Sequence, residues 1–262
     1  MAAFANKTTL GRSGLSVSPL GVSGGYGVDA RALRAAFDRG VNYFYHGSLR
    51  RPGMTDAIRE IVANGHRDQL VLVMQSYSRW GGVLERRLLQ GLKSLNAEYA
   101  DVLLLGWYGS MPSRRLLDRL EKLRERGVFR ELAISSHRRP AFAEFAADPR
   151  FSILHLRYNA AHPGAERDVF PKLPQGNRPG LVAYTATSWG KLLDSKNMPD
   201  GEAPMRGRDC YRFVLTNPNI NLVMSGPKNA SEMQEALAAL DDGPCSPDEL
   251  ERFSRIGAHV HG

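Results

Sequence analysis

The chain has 262 residues, 42% of them hydrophobic, and a mean hydropathy of -0.34, which is enough apolar surface for one complete core and reads as a single domain over residues 1–262. No apolar run approaches the roughly 20 residues that cross a bilayer, and the opening Met1-Ala-Ala-Phe-Ala-Asn-Lys7 lacks a basic-then-apolar export pattern, so a cytoplasmic protein without membrane attachment is expected. The net charge of +8 is spread through stretches such as Arg114 to Arg126, where acids interleave with the bases and no aromatics stud them; a positive cleft for a phosphate-bearing small molecule fits this better than a nucleic-acid groove.

In chain order, Thr8–Val17 reads as a hairpin turning at Gly11-Arg-Ser-Gly14. Strands are expected at Pro19–Val22, Val41–Tyr45, Leu70–Met74, Val102–Leu105, Glu131–Ile134, Ile153–Arg157, Leu181–Tyr184 and Asn221–Met224, each short and apolar on both faces, as buried parallel strands are. Amphipathic helices lie between them. Ala30, Leu33 and Phe37 share one stripe; Leu84, Leu88, Leu92 and Leu95 another; Leu116, Leu120 and Leu123 a third; Met233, Leu237 and Leu240 a fourth. Gly40, Gly65 and Gly127 stand where left-handed helix caps belong. The alternation gives about eight units of roughly 33 residues, and the fold expected is an α/β (β/α)8 TIM barrel with an N-terminal β-hairpin. An open doubly wound sheet would show Gly-x-Gly-x-x-Gly after its first strand, and Gly21-Val-Ser-Gly-Gly-Tyr-Gly27 does not have that spacing.

Residues that can carry chemistry gather at strand ends, which in such barrels form the functional face. Tyr45 and His46 close one strand, Gln75 and Tyr77 the next, and Tyr108 and His137 two more; Arg50 and Arg51 follow closely and can bind an acidic group. His46 is expected to titrate near neutrality, as a free imidazole does. Ser225-Gly226-Pro-Lys228-Asn229 opens a helix with a close-approach glycine and a cation, the make-up of an anion site. The irregular stretch from Thr185 to about Arg208 is long enough to be functional. Cys210 and Cys245 have no metal spacing and the histidines form no ligand set, so reduced thiols and no metal are expected.

The segments Leu10 to Gly25, Gly40-Val-Asn-Tyr-Phe-Tyr45, Asp101 to Trp107, Arg157-Tyr-Asn159 and Met224 to Asn229, in that order, resemble the aldo-keto reductases, NADP-dependent barrels of this kind. The resemblance implies NADP(H) as cofactor, with Lys228 and its neighbours Ser225, Gly226 and Asn229 at the 2'-phosphate. It also implies Tyr184 stacked on the nicotinamide, Ser135, Ser136 and His155 on the carboxamide, and Thr185, Trp189 and Gly190 over the pyrophosphate. The family's catalytic Asp, Tyr, Lys and His fall at Tyr45, near Arg50, at Gln75 and at Gly106. The activity implied is oxidation or reduction of a small carbonyl or alcohol with an altered set, Tyr45, His46, Arg50 and Gln75, in which Tyr45 or His46 gives the proton. A cofactor-binding regulatory protein without turnover and a non-redox lyase or isomerase are the other classes open, and the oligomeric state is not specified.

Overall fold

Apolar strands paired in parallel close on themselves in this protein, as a computed structural model shows for residue 4 and residues 6–47 and 51–261. The hairpin comes first, β1 (Thr8–Thr9) antiparallel to β2 (Ser16–Val17). The barrel follows as β3 (Leu20–Ser23), β4 (Tyr43–Tyr45), β5 (Val71–Ser76), β6 (Ala100–Leu105), β7 (Phe129–Ser135), β8 (Phe151–Arg157), β9 (Gly180–Tyr184) and β10 (Leu222–Ser225), with β10 paired back onto β3. The (β/α)8 barrel and its hairpin are as the sequence predicts. Strand β4 starts later than expected; Asn42 still gives its carbonyl to Val71 N at 2.8 Å, while its side chain accepts from Ser18 N at 2.9 Å and donates to Ser16 O at 2.9 Å. Around the barrel run α1 (Ala30–Asp38), α2 (Pro52–Ala63), α3 (Gly81–Ser94), α4 (Arg114–Glu125), α5 (Ala141–Ala147), α6 (Ala165–Asp168), α7 (Gly207–Thr216) and α8 (Ala230–Asp242), and α9 (Pro247–His261) ends the chain. Side-chain caps start several of them: Asp29 accepts from Ala32 N at 2.7 Å, and Ser113 from Leu116 N at 3.3 Å. Among the described residues no helix is long and apolar enough to cross a membrane.

Two apolar shells result from the two faces of each strand. Inside the barrel lie Tyr43, Val73, Leu104, Ala133, Ile153 and Val182; outside, against the helices, lie Phe44, Leu72, Leu103, Ile134, Leu154 and Leu181. One irregularity matters for function. Between β7 and β8 the register steps from Leu132 opposite Phe151 to Ala133 opposite Ile153, so Ser152 is an extra residue, and its hydroxyl donates to Leu132 O at 3.3 Å. Phe151 consequently packs outward and Ile153 inward although they are two apart, and the rest of β8 takes its facing from this bulge.

The hairpin seals the N-terminal end, with Leu10 and Val17 completing the interior cluster. Arg12 locks it in place by donating to the carbonyls of Asp148 at 2.6 Å, Phe151 at 2.6 Å and Ala146 at 3.1 Å. At the far rim, the stretch after β9 is folded into two 3-10 turns, Lys191–Leu193 and Ser195–Asn197, and is held by α9. Glu202 accepts from Arg252 at 3.0 Å and from Arg255, while Arg252 also donates to Ala203 O at 2.6 Å.

Gly11 and Gly14 separate backbone strain from crowding in the plug. Both have left-handed φ, +51° and +68°, but a Cβ on Gly11 would stand 2.0 Å from Gly180 N, whereas one on Gly14 meets nothing within 4 Å. Gly14→Ala is expected to cost about 1–2 kcal/mol, the conformational penalty alone, and Gly11→Ala at least twice that through displacement of the β9 backbone. Urea unfolding of the two variants measures the difference; equal losses would show that the plug does not press on β9.

Candidate functional site

The C-terminal mouth of the barrel is built largely from the inward-facing residues at the ends of β3 to β9. Two steps beyond the interior residues Gly21, Tyr43, Val73, Leu104, Ala133, His155 and Val182 stand Ser23, Tyr45, Gln75, Gly106, Ser135, Arg157 and Tyr184. Tyr45 and Gln75 meet directly, the phenol donating to Gln75 Oε1. Gly106 lies beside them, and its bare Cα is required: a Cβ there would be 2.5 Å from the Tyr77 ring and 2.8 Å from Gln75 Nε2. Burial raises the Tyr45 pKa far above its ordinary value, and the adjacent Tyr77 hydroxyl raises it further.

His46 does not have the character expected of it. The ring is buried, Arg51 Nε donates to its Nε2 at 3.1 Å, and Thr55 Oγ1 lies 3.0 Å from the same nitrogen. Burial, followed by the charges of Arg51 and Arg59, lowers its pKa to about 3, so at neutral pH it is an uncharged acceptor and has no proton of a neutral-pH acid to give. Arg50 lies outside the described residues. His155, expected at the cofactor's amide, is one step too deep: it is 3% exposed, its Nε2 lies 2.8 Å from the Tyr43 hydroxyl, and burial lowers its pKa to about 3. The Ser135 and Ser136 hydroxyls are likewise turned to the rim's own backbone. Ser135 accepts from Trp107 N at 3.1 Å, and Ser136 accepts from Arg138 N at 2.9 Å.

Tyr184 stands half-buried at the mouth with its hydroxyl donating to Ser136 O at 3.2 Å, and burial raises its pKa to about 12 against the opposing charge of Arg157. The next turn is strained: Thr185, Ser188 and Trp189 have φ of +64°, +50° and +56°, ahead of Gly190 at +86°. Buried Asn159 steadies it by donating to Thr185 O at 2.7 Å. The Ser188 hydroxyl is buried with no partner among the described residues, and the Trp189 ring is 62% exposed. After β10, Ser225 donates to Gly21 O at 2.9 Å and Asn229 caps α8 by accepting from Glu232 N at 2.9 Å, so both build the loop. Gly226 lies under the Tyr26 ring, 2.6 Å from where a Cβ would be. The Lys228 backbone N–H donates to the Glu232 carboxylate at 2.9 Å, and its ammonium makes no ion pair among the described residues.

Aromatic rings wall the mouth. Tyr77 to Trp107 is 4.8 Å between centroids, Trp107 to His137 5.7 Å, and His137 to Tyr184 6.1 Å. Trp107 has a φ of +58°, a conformation that costs a bulky residue about 1–3 kcal/mol. Arg79 supports it by donating to the carbonyls of Tyr77 at 3.0 Å, Gly106 at 3.0 Å and Trp107 at 2.6 Å. Arg157 was outside the expected set, although the alternation His155-Leu-Arg157 behind an apolar outer face is a signal for it.

Residues 28–209 match the profile of the Aldo/keto reductase family, more than half of the chain. The chain belongs to that family. The solved structures it resembles include an aldo/keto reductase from Klebsiella pneumoniae in complex with NADP and acetate (21% identity, 97% of this chain and 96% of that one covered, TM-score 0.75). They also include the holo form of an aldo-keto reductase from Bacillus halodurans (18% identity, 96% of each chain covered, TM-score 0.78). Among curated protein sequences none matches. In this aldo/keto reductase family member a groove of about 1130 Å³ also runs between α3 and α4. Its lining is basic, with Glu85 and Asp118 the carboxylates among seven cations; Glu85 bridges Arg119 and Arg126 at 2.7 Å each, and the groove lies on the flank of the barrel.

The two buried imidazoles should make this family member acid-sensitive. Unfolded, each takes its proton near pH 6.5; folded, each does so near 3. Between those values the unfolded chain holds the extra protons, so stability falls as the pH is lowered, and at pH 7 and above neither group contributes. Going from pH 7 to pH 5 should cost about 2 kcal/mol per imidazole. Urea unfolding at the two pH values checks this, and His155→Gln should remove about half of the loss.

Proposed function

We propose that this protein is an NADP(H)-dependent oxidoreductase that interconverts a small carbonyl compound and its alcohol at the barrel mouth. Family membership supports the reading, and the observation that carries it is a pair of polar groups without partners in the loops after β9 and β10. Among the described residues Ser188 has a buried hydroxyl without a partner and Lys228 has an ammonium without an ion pair at the head of α8, while Gly226 lets the Tyr26 ring close over the loop between them. These residues fit a pyrophosphate and a terminal phosphate, and NADP is what the Klebsiella pneumoniae structure holds. NADP(H), when bound, supplies or accepts the hydride. Lys228 holds the 2'-phosphate through its side chain, because Glu232 has already taken its backbone N–H. Tyr184 offers its ring to the nicotinamide, and the turn from Thr185 to Gly190 covers the phosphates.

For the proton, Tyr45 is the donor. Its hydroxyl turns from Gln75 Oε1 to the substrate oxygen, and the phenolate left behind is stabilised by the nearby positive charge of Arg51. The family's Lys and His positions are here Gln75 and Gly106, so the charge that assists the tyrosine comes from α2's start instead of from β5. His46 holds Arg51 as a neutral acceptor. Since Tyr45's proton is engaged by Gln75 and its pKa is raised, a cofactor-binding protein without turnover is the second reading.

Fluorescence titration with NADPH and NADH tests the cofactor. Lys228→Ala should weaken NADPH about tenfold or more relative to NADH, the share of one charge-assisted contact; equal weakening of both, or no binding to the wild type, would remove the site. Turnover of a panel of aldehydes and ketones tests the chemistry. Tyr45→Phe should lower kcat by about 10²–10⁴, and the wild-type rate should stay level between pH 6 and pH 8, where neither Tyr45 nor His46 titrates. Cofactor binding with no turnover across the panel would establish the second reading.

A further inference from the structure

Arg157 brings to the barrel mouth a charge that no ion pair among the described residues neutralises. It is the last residue of β8, and the bulge at Ser152 turns it inward with Ile153 and His155, side by side with Tyr184. Its guanidinium carbon is 5.5 Å from the centroid of the Trp189 ring. The charge reaches across the mouth: with burial as the larger cause, it lowers the pKa of His137, and that of His162 to about 4. Among the described residues the Arg157 side chain makes no ion pair and no hydrogen bond. Every other buried or half-buried arginine has such a partner. Arg12 has carbonyls, Arg51 has His46, Arg67 has Asp101, Arg208 has Glu235 and Arg212 has Glu249. A half-buried guanidinium gains by taking a carboxylate in bidentate fashion, and the fold offers it none.

The surroundings define what carries that carboxylate. Arg157 is the one charged residue among the inward-facing strand ends, which matches a single negative charge better than a phosphate dianion. Beside it the rings of Tyr184, His137 and Trp107 follow one another in edge-to-face and tilted contacts, at 89° and 47°, and make an aromatic wall of faces and edges, with Trp107 held in a strained backbone conformation that presents its 59% exposed ring. Such a wall favours a planar π-system and gives little to a short aliphatic chain.

We infer that Arg157 is the specificity residue of the mouth, binding the carboxylate of a planar aromatic oxo acid whose ring lies on the Tyr184–His137–Trp107 wall. The inference rests on the oxidoreductase reading for the role of the ligand as substrate, and on the structure alone for its binding. The probes are 4-formylbenzoate and its methyl ester, which share ring and aldehyde and differ in charge. Their binding is read from quenching of tryptophan fluorescence, with no turnover required, and their KM from NADPH consumption.

The wild type should bind the acid at least tenfold tighter than the ester. Arg157→Gln should bring that ratio to about one, while Arg157→Lys, which keeps the charge, should retain part of the preference and show that the fold tolerates the position. The NADPH Kd should change less than threefold in either variant. A wild-type ratio near one, or equal loss of acid and ester in Arg157→Gln, would overturn the inference. NADPH weakened as much as the acid would overturn it too, by assigning Arg157 to the cofactor. Arg157-dependent binding of the acid with no turnover would uphold the site and defeat the oxidoreductase reading. Turnover of both probes without preference would do the reverse.

Discussion

The bulge at Ser152 governs what the barrel presents to its ligand. A strand in a closed barrel has no free edge and no slack: each residue faces in or out, and one inserted residue reverses all that follow. With Phe151 pointing outward, an unbulged β8 would send His155 and Arg157 toward the helical layer, and Leu154 and Leu156 into the barrel. The extra residue is stabilised by the Ser152 hydroxyl bonding to the neighbouring strand. Its effect is to bury one imidazole against Tyr43 and raise one guanidinium to the rim.

Much of this architecture is legible in the residues themselves. Runs such as Val102–Leu105, apolar on both faces, can only be strands covered on both sides, and the stripes of α3 and α4 fix which helical face covers them. Gly40, Gly65 and Gly127 do adopt left-handed φ at the helix ends. The finer features were not legible, for physical reasons. Ser135 and Ser136 carry short hydroxyls that reach backbone atoms two residues or one strand away before they reach any ligand. His46 has its protonation decided by Arg51, Thr55 and Arg59, whose approach depends on where α2 is docked. Helix α9 holds the loop after β9 through ion pairs whose sequence signal is indistinguishable from that of any solvated helix face.

The electrostatic character of the mouth follows from the same packing. His46 and His155 are kept neutral, Tyr45 and Tyr184 are kept protonated, and no carboxylate stands among the inward strand ends. Near neutral pH the mouth therefore has a constant charge, supplied by arginines. Under the proposed chemistry, binding would then fall to groups that do not titrate near neutrality, and proton supply to a phenol whose acidity depends on its hydrogen-bond partner.

Gly106 and Tyr77 illustrate how such a site becomes fixed. The ring of one occupies the volume the other's side chain would need, with only 2.5 Å between the ring and a Cβ. A histidine introduced at 106 would first have to evict Tyr77, which would remove the Tyr77–Trp107 contact and loosen the wall; shrinking Tyr77 first would leave a gap over a bare Cα. Neither single step lands on a well-packed mouth, so the pair can change only together. In evolutionary language the two positions are epistatic: the ring at one keeps the other a glycine.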